Sequence, residues 1–176
     1  ITRDVARWLQ ALVSKYGTPE RVTVEHVREA FMGVAQRAEY QAQMRRRQRD
    51  RERIRAELVQ QGYANPTEQD IRRYRLVTMQ NGECLYCGEP ITLATSELDH
   101  IVPRSVGGSN RSENVVAVCK RCNQAKGKNV FSQWAAATDY ASVAEALARV
   151  DRWDRPRDFD VASFNRLKRD VKNRLR

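Results

Sequence analysis

The segment Leu98-Asp99-His100-Ile101-Val102-Pro103-Arg104 decides how this chain folds, because an acid and a histidine stand side by side in a short apolar stretch. One Cys-x-x-Cys pair precedes the segment and a second follows it; the four residues are Cys84, Cys87, Cys119 and Cys122. Two asparagines, Asn114 and Asn123, come after it. Paired thiols favour a bound metal, and an Asp-His pair near amides favours hydrolytic chemistry. The stretch therefore predicts one small functional unit.

Composition limits the rest of the chain. Its 176 residues are enough for one ordinary domain, or for a compact core with extended arms. Lys and Arg number 32 against 22 Asp and Glu, which gives a net charge of +10. Such a chain associates with polyanions, and beside a candidate hydrolytic site this charge favours nucleic acid over a merely soluble basic protein.

The cysteines and the hydropathy pattern indicate the cellular compartment in which the protein works. No signal peptide and no apolar run of membrane length is present in the sequence. Disulfides would need an oxidising setting. We therefore expect a cytoplasmic protein with no membrane partner, whose reduced thiols bind zinc. A monomer is expected.

The zinc prediction depends on spacing. Thiolates three positions apart bind one ion, and Gly88 lets the backbone turn beneath the first pair. Four sulfur ligands close a tetrahedral shell and leave no position for water, so the predicted ion is structural. The longer gap between the two pairs leaves room for a hairpin. The alternative is four free buried cysteines.

Local patterns predict a hairpin followed by a helix. Residues 97–102 and 114–118 read as antiparallel strands, residues 107–110 as a flexible loop, and Lys120–Lys126 as the start of a helix. This is a ββα-metal arrangement, which presents the Asp-His pair and Asn123 toward one point. The fold class is α+β and mostly helical, with this core and the four-cysteine zinc site flanked by long helices.

If the predicted site hydrolyses phosphodiester bonds, each of its polar residues has an expected role. His100 serves as the general base, since a neutral imidazole has a suitable pKa. Asp99 and Asn123 supply oxygens to one magnesium or manganese ion. Asn114 ties the loop to the first strand and thereby orients His100. Three cations are candidate phosphate contacts: Arg104, Lys126 and Lys128. The plain alternative is that a lone Asp-His pair is incidental.

The flanks add a helix, a short strand at residues 21–25 and one long helix over residues 27–61. Between Tyr40 and Ile54 the long helix carries six arginines, and Met44 is the one large apolar residue of this stretch. A helix without an apolar stripe has little to bury. Its arginines form either a solvated face or a basic connecting arm that contacts phosphates.

The core motifs resemble the HNH domain of the RNA-guided CRISPR type II effector nucleases, whose compact members typically carry zinc in this domain. The resemblance lies in residues 97–105, in Asn114 and in residues 122–127. Residues 15–29 resemble the middle segment of a split RuvC-like nuclease that precedes HNH in those effectors. The resemblance to these effectors is weak after Phe131.

This resemblance implies a function. The domain would cut the DNA strand paired with the guide RNA, and it would act with the rest of the effector protein. Glu25 matches a metal-binding glutamate of the RuvC-like site, whose partner carboxylates would lie elsewhere. The arginine-rich helix would be the mobile connector of the nuclease domain.

The implied organisation has four parts. Residues 1–30 are the RuvC-like middle segment, 31–65 the basic connector, 66–153 the HNH domain and 154–176 a C-terminal linker helix. Two rival functions stay open: a free-standing HNH homing or restriction endonuclease, and a non-catalytic zinc module that only binds DNA.

Overall fold

The computed structural model describes residues 2–21 and 33–176, with side chains from residue 6 onward. It divides into two compact units, residues 1–41 and 42–176. The predicted strand at residues 21–25 and the start of the predicted long helix fall almost wholly outside the described residues. The four-part organisation expected from the sequence stays a prediction.

The described residues are mostly helical. Their helices and strands are α1 (Thr2–Tyr16), α2 (Val34–Gln60), α3 (Glu68–Met79), β1 (Ser96–His100), β2 (Val115–Cys119), α4 (Lys120–Lys126), α5 (Phe131–Ala135), α6 (Val143–Asp151) and α7 (Val161–Leu175). None of the helices in this part of the chain is long and apolar enough to cross a lipid bilayer. The predicted fold class, a mostly helical α+β chain with a ββα core, is confirmed.

The hairpin forms as an antiparallel pair in which Ser96 faces Cys119 and His100 faces Val115. The predicted first strand ends two residues beyond the observed one, because the backbone of Val102 bonds to the side chain of Asn114 instead of to a neighbouring strand. Pro103 follows and has no N–H to give to a ladder. The chain therefore leaves the sheet directly after His100, at the point where the site begins.

The main core lies on the hairpin. Every residue of β2 from Val115 to Val118 is buried, which explains its almost unbroken run of valines. Leu76 and Met79 of α3 pack on this core, as do residues of α5, α6 and α7. An aromatic group of Tyr86, Phe131 and Trp134 belongs to it, with the first two rings stacked at 4.4 Å.

The side-chain amide of Gln80 hydrogen-bonds to the backbone of β2 as a neighbouring strand would. Its side-chain amide is buried, accepts from the N–H of Ala117 at 2.9 Å and donates to the Ala117 carbonyl at 2.7 Å. Side-chain bonds of this kind satisfy the open edge of β2, which a two-stranded sheet leaves without a third strand. Gln80 therefore joins the end of α3 to the sheet.

The arginine-rich helix α2 packs through residues in its C-terminal half. Ile54 and Leu58 are buried against Ile71 of α3, while Met44 is 40% exposed. Asp50 is buried, and Arg53 donates to it at 2.7 Å and to Glu57 at 2.5 Å. The absence of an apolar stripe between Tyr40 and Ile54 agrees with the sequence, whereas the mobility expected of a connector stays a prediction.

We expect Gln80→Leu to destabilise residues 42–176 by about 1–3 kcal/mol, because the buried N–H of Ala117 loses its partner. The urea midpoint of unfolding measures the effect. Gln60→Leu is the matched control, since Gln60 is exposed on α2. Equal midpoints for the two variants would show that the Gln80 bonds add nothing to stability.

Candidate active site and metal centre

The four cysteines form one cluster. Their sulfur atoms all lie within 4.8 Å of one another, and the Cys87 and Cys119 sulfurs are 3.7 Å apart. A tetrahedron with zinc–sulfur bonds of about 2.3 Å has edges of about 3.8 Å. A disulfide would need about 2.05 Å. The spacing therefore fits four thiolates around one ion.

Local structure places each sulfur. Gly88 adopts a φ of +79°, which an L side chain rarely does, and its N–H bonds to the Cys84 carbonyl at 2.9 Å. Arg149 of α6 lies behind this turn and donates to the Tyr86 carbonyl at 3.0 Å. On the other side, Cys119 caps α4 by accepting from the N–H of Cys122.

The electrostatics of the cluster favour thiolate at one position. A hydrogen bond from Cys122, helped by backbone N–H groups and opposed by burial, lowers the pKa of the Cys84 thiol to about 5. The same hydrogen bond, followed by burial, raises the pKa of the Cys122 thiol. One sulfur is therefore poised as an anion by the fold, and a dication would stabilise the others as thiolates too.

Asp99 is 8% exposed and lies at the centre of the polar site. Its Oδ2 accepts from the Tyr86 hydroxyl at 2.7 Å and pairs with the Lys126 ammonium at 2.8 Å. Its Oδ1 makes no hydrogen bond to another described residue. The carboxylate is therefore held through one oxygen, which leaves the other available to a ligand.

Helix α4 meets β1 through side-chain polar contacts, besides the bond from Lys126 to the His100 carbonyl. Asn123 donates to Oε2 of Glu97 at 2.6 Å, and Lys126 pairs with Asp99. Glu97 and Asp99 are two apart on the strand and so share a face, while Asn123 and Lys126 are three apart on the helix and so share a side. Along this face, α4 thus places an amide on Glu97 and an ammonium on Asp99.

His100 contacts the loop that follows the strand. Its Nε2 lies 2.7 Å from Oδ1 of Asn110. The Asn110 carbonyl accepts in turn from Arg72 of α3 at 2.9 Å. An amide oxygen only accepts, so this contact is a hydrogen bond in the tautomer whose Nε2 carries the proton, and in that tautomer the lone pair lies on Nδ1.

Asn114 organises the same loop and is fully buried. Its side-chain oxygen accepts from the N–H of Val102, and its amide donates to the carbonyls of Val102 and Ser109. A Cβ on Gly108 would lie 1.8 Å from the Val102 carbonyl oxygen, so only glycine fits there. The contacts of Asn114 are those expected of a residue that ties the loop to β1.

The three candidate phosphate contacts differ in position. Arg104 and Lys128 are exposed. Lys126 is fully buried, pairs with Asp99 and donates to the His100 carbonyl at 2.8 Å. The ammonium of Lys126 is therefore used inside the site, which argues against the phosphate contact expected of it. Glu25 lies outside the described residues.

Sequence reasoning missed three residues of the site. Tyr86, Glu97 and Asn110 each contact one predicted functional residue: Asp99, Asn123 and His100, respectively. One signal was available for Glu97, since an acid two positions before Asp99 shares its strand face. The other two contacts depend on how the knuckle and loop fold, which no local pattern encodes.

Comparison with known proteins agrees with this geometry. Residues 84–136, which span both cysteine pairs and the hairpin, match the family described as HNH endonuclease. The CRISPR-associated endonuclease Cas9 of Corynebacterium diphtheriae is 43% identical over 158 residues, which is 87% of this chain and 15% of the relative. Cas9 of Actinomyces naeslundii is 38% identical over 180 residues, 98% of this chain and 16% of the relative.

Solved structures show the same relationship. The crystal structure of the Type II-C Cas9 enzyme from Actinomyces naeslundii superposes with a TM-score of 0.79 at 37% identity, covering 99% of this chain and 18% of that chain. Streptococcus thermophilus Cas9 in complex with the AGAA PAM gives a TM-score of 0.60 at 21% identity, covering 98% and 20%, which is a likeness of fold. The chain spans 15–16% of the length of the curated relatives above. It is an HNH endonuclease domain region of the kind found in type II Cas9 proteins.

Proposed function

We propose that this chain hydrolyses DNA phosphodiester bonds with a divalent metal, and that within its complete protein it cuts the strand paired with a guide RNA. One observation carries the proposal. The β1–β2–α4 unit lies within the residues that match the HNH family, with Asp99 and His100 at the end of β1 and Asn123 on α4, which contacts β1 through Glu97 and Asp99.

The residues present fit a hard cation. Asp99 and Asn123 would hold magnesium or manganese through carboxylate and amide oxygens, the donors such ions prefer. Glu97 would orient Asn123, to which it is bonded. Among the described residues the four cysteines are the one group of three or more metal-ligating side chains. The catalytic ion would therefore take few protein ligands, and it would supply charge neutralisation at the scissile phosphate.

His100 would remove the proton from the attacking water. In the tautomer that donates a hydrogen bond from Nε2 to Asn110, Nδ1 would be the atom that accepts the proton. Asn114 would act by position, because it holds the loop in which Asn110 lies. Arg104 and Lys128, both exposed, are the cations proposed to contact phosphates.

The proposed setting follows from the relatives. The partner would be a guide RNA–DNA duplex together with the rest of the effector, in the bacterial cytoplasm, with one copy of the chain per complex. Glu25 would belong to a separate RuvC-like site. The Cas9 relatives align over 87% and 98% of the chain, which favours this reading over a free-standing HNH enzyme. A DNA-binding zinc module would leave the Asp-His pair unused.

We expect His100→Ala to slow cutting of the guide-paired strand by about 10²–10⁴-fold, because the water loses its base. Asp99→Ala and Asn123→Ala should abolish cutting, because the catalytic metal loses a ligand. Asn114→Ala should have a milder effect, because its proposed role is positional. A strand-resolved cleavage assay on the complete protein, with DNA binding measured in parallel, tests this.

Asp139→Ala and Asn129→Ala are the matched controls, since both side chains are exposed. Normal cutting by His100→Ala would disprove the assigned mechanism. Loss of DNA binding in the same variant would show that His100 serves structure rather than chemistry.

We expect one zinc ion per chain, bound by Cys84, Cys87, Cys119 and Cys122. Structural zinc contributes about 10–16 kcal/mol of apparent binding energy in small peptides. Strong chelation, or Cys119→Ser, should therefore unfold the hairpin while helices far from it persist in part. Elemental analysis and circular dichroism measure both effects, and added zinc should reverse the chelation. Active protein without stoichiometric zinc would contradict the site.

A further inference from the structure

Tyr86 connects the cysteine cluster to the polar site. It lies between Cys84 and Cys87 in the first knuckle, and its hydroxyl donates to Oδ2 of Asp99 at 2.7 Å. The bond joins residues 13 positions apart. It is therefore a direct side-chain contact between the segment that supplies two sulfur ligands and the carboxylate proposed to bind the catalytic metal.

The position of the Tyr86 ring is restricted on every side. The residue is fully buried, its ring stacks on Phe131 with centroids 4.4 Å apart, and Trp134 lies 5.7 Å away. Its carbonyl accepts from Arg149. A carboxylate oxygen only accepts, so the phenol is the donor in its bond to Asp99.

The hydroxyl is not needed to neutralise the carboxylate. Lys126 already supplies a full positive charge at 2.8 Å from the same oxygen. A phenylalanine would fill the same apolar space and make the same stack. What the phenol adds is a second donor on Oδ2, which restricts rotation of the carboxylate about its Cβ–Cγ bond. Because both donors meet one oxygen, Oδ1 has one preferred direction.

We propose that Tyr86 is a positioning residue through which the zinc knuckle sets the direction of the Asp99 carboxylate toward the catalytic metal. The inference rests on the proposed function, since it takes Asp99 as a metal ligand. It gives the structural ion a second task besides stability. The knuckle that zinc closes is the segment from which the Asp99 donor projects.

The test is Tyr86→Phe in the zinc-loaded 176-residue chain, with manganese affinity measured by electron paramagnetic resonance. We expect affinity to fall by about 10–100-fold, as is typical when a partner of a metal ligand is removed. Zinc stoichiometry should stay at one per chain. In the complete protein, cutting of the guide-paired strand should slow while DNA binding is retained.

Tyr140→Phe is the matched control. Its ring contacts the other side of Trp134 at 5.7 Å, and the residue is 40% exposed. It removes the same hydroxyl from the edge of the same aromatic group, so manganese affinity should not change. Asp99→Ala serves as the reference for complete loss of the site.

The outcomes separate the two proposals. If Tyr86→Phe binds manganese like the unaltered chain while Asp99→Ala does not bind it, the Tyr86 role is wrong and the metal site stands. If Asp99→Ala also binds normally, the metal site itself is wrong. Should Tyr86→Phe lose zinc, the unaltered chain still decides the matter by proton NMR. A slowly exchanging Tyr86 hydroxyl proton supports the bond, and its absence overturns the proposal.

Discussion

The structure depends on the contact of four sulfur atoms that join two turns more than 30 residues apart. Cys87 and Cys119 are separated by 32 positions and lie 3.7 Å apart. Between them is a hairpin of two five-residue strands, and an isolated hairpin of this size is marginally stable in water. One ion bound by the four sulfurs would close this loop, reduce the number of unfolded conformations and hold the start of α4 near β1. The polar site lies on the hairpin that this closure holds.

A second constraint is the buried ion pair of Asp99 and Lys126. Lys126 is fully buried and the Asp99 side chain is 11% exposed. Burying two charges is costly, and a pair of apolar residues would often be equally stable or more so. Tyr86 and the His100 carbonyl offset part of this cost through hydrogen bonds. The arrangement is better explained by chemistry than by stability, because it keeps an ionised carboxylate in a set orientation.

Much of this could be predicted from the sequence. Cysteine spacing identified the cluster, and the apolar strands around Asp99 identified the hairpin to within two residues at each end. The contacts within the site were beyond reach. Lys126 and Asp99 are 27 positions apart, and whether a lysine faces solvent or a buried carboxylate depends on how α4 packs, which spacing alone does not fix.

The most direct measurement is a crystal structure of the chain with zinc and manganese, with anomalous diffraction recorded at both absorption edges. The account predicts a zinc peak at the centre of the four sulfurs and a separate manganese peak within coordination distance of Asp99 Oδ1 and the Asn123 side chain. Zinc at the cysteines with no manganese at Asp99, in crystals soaked at saturating concentration, would contradict the central claim. The chain would then hold a zinc-stabilised hairpin without the metal chemistry proposed for it.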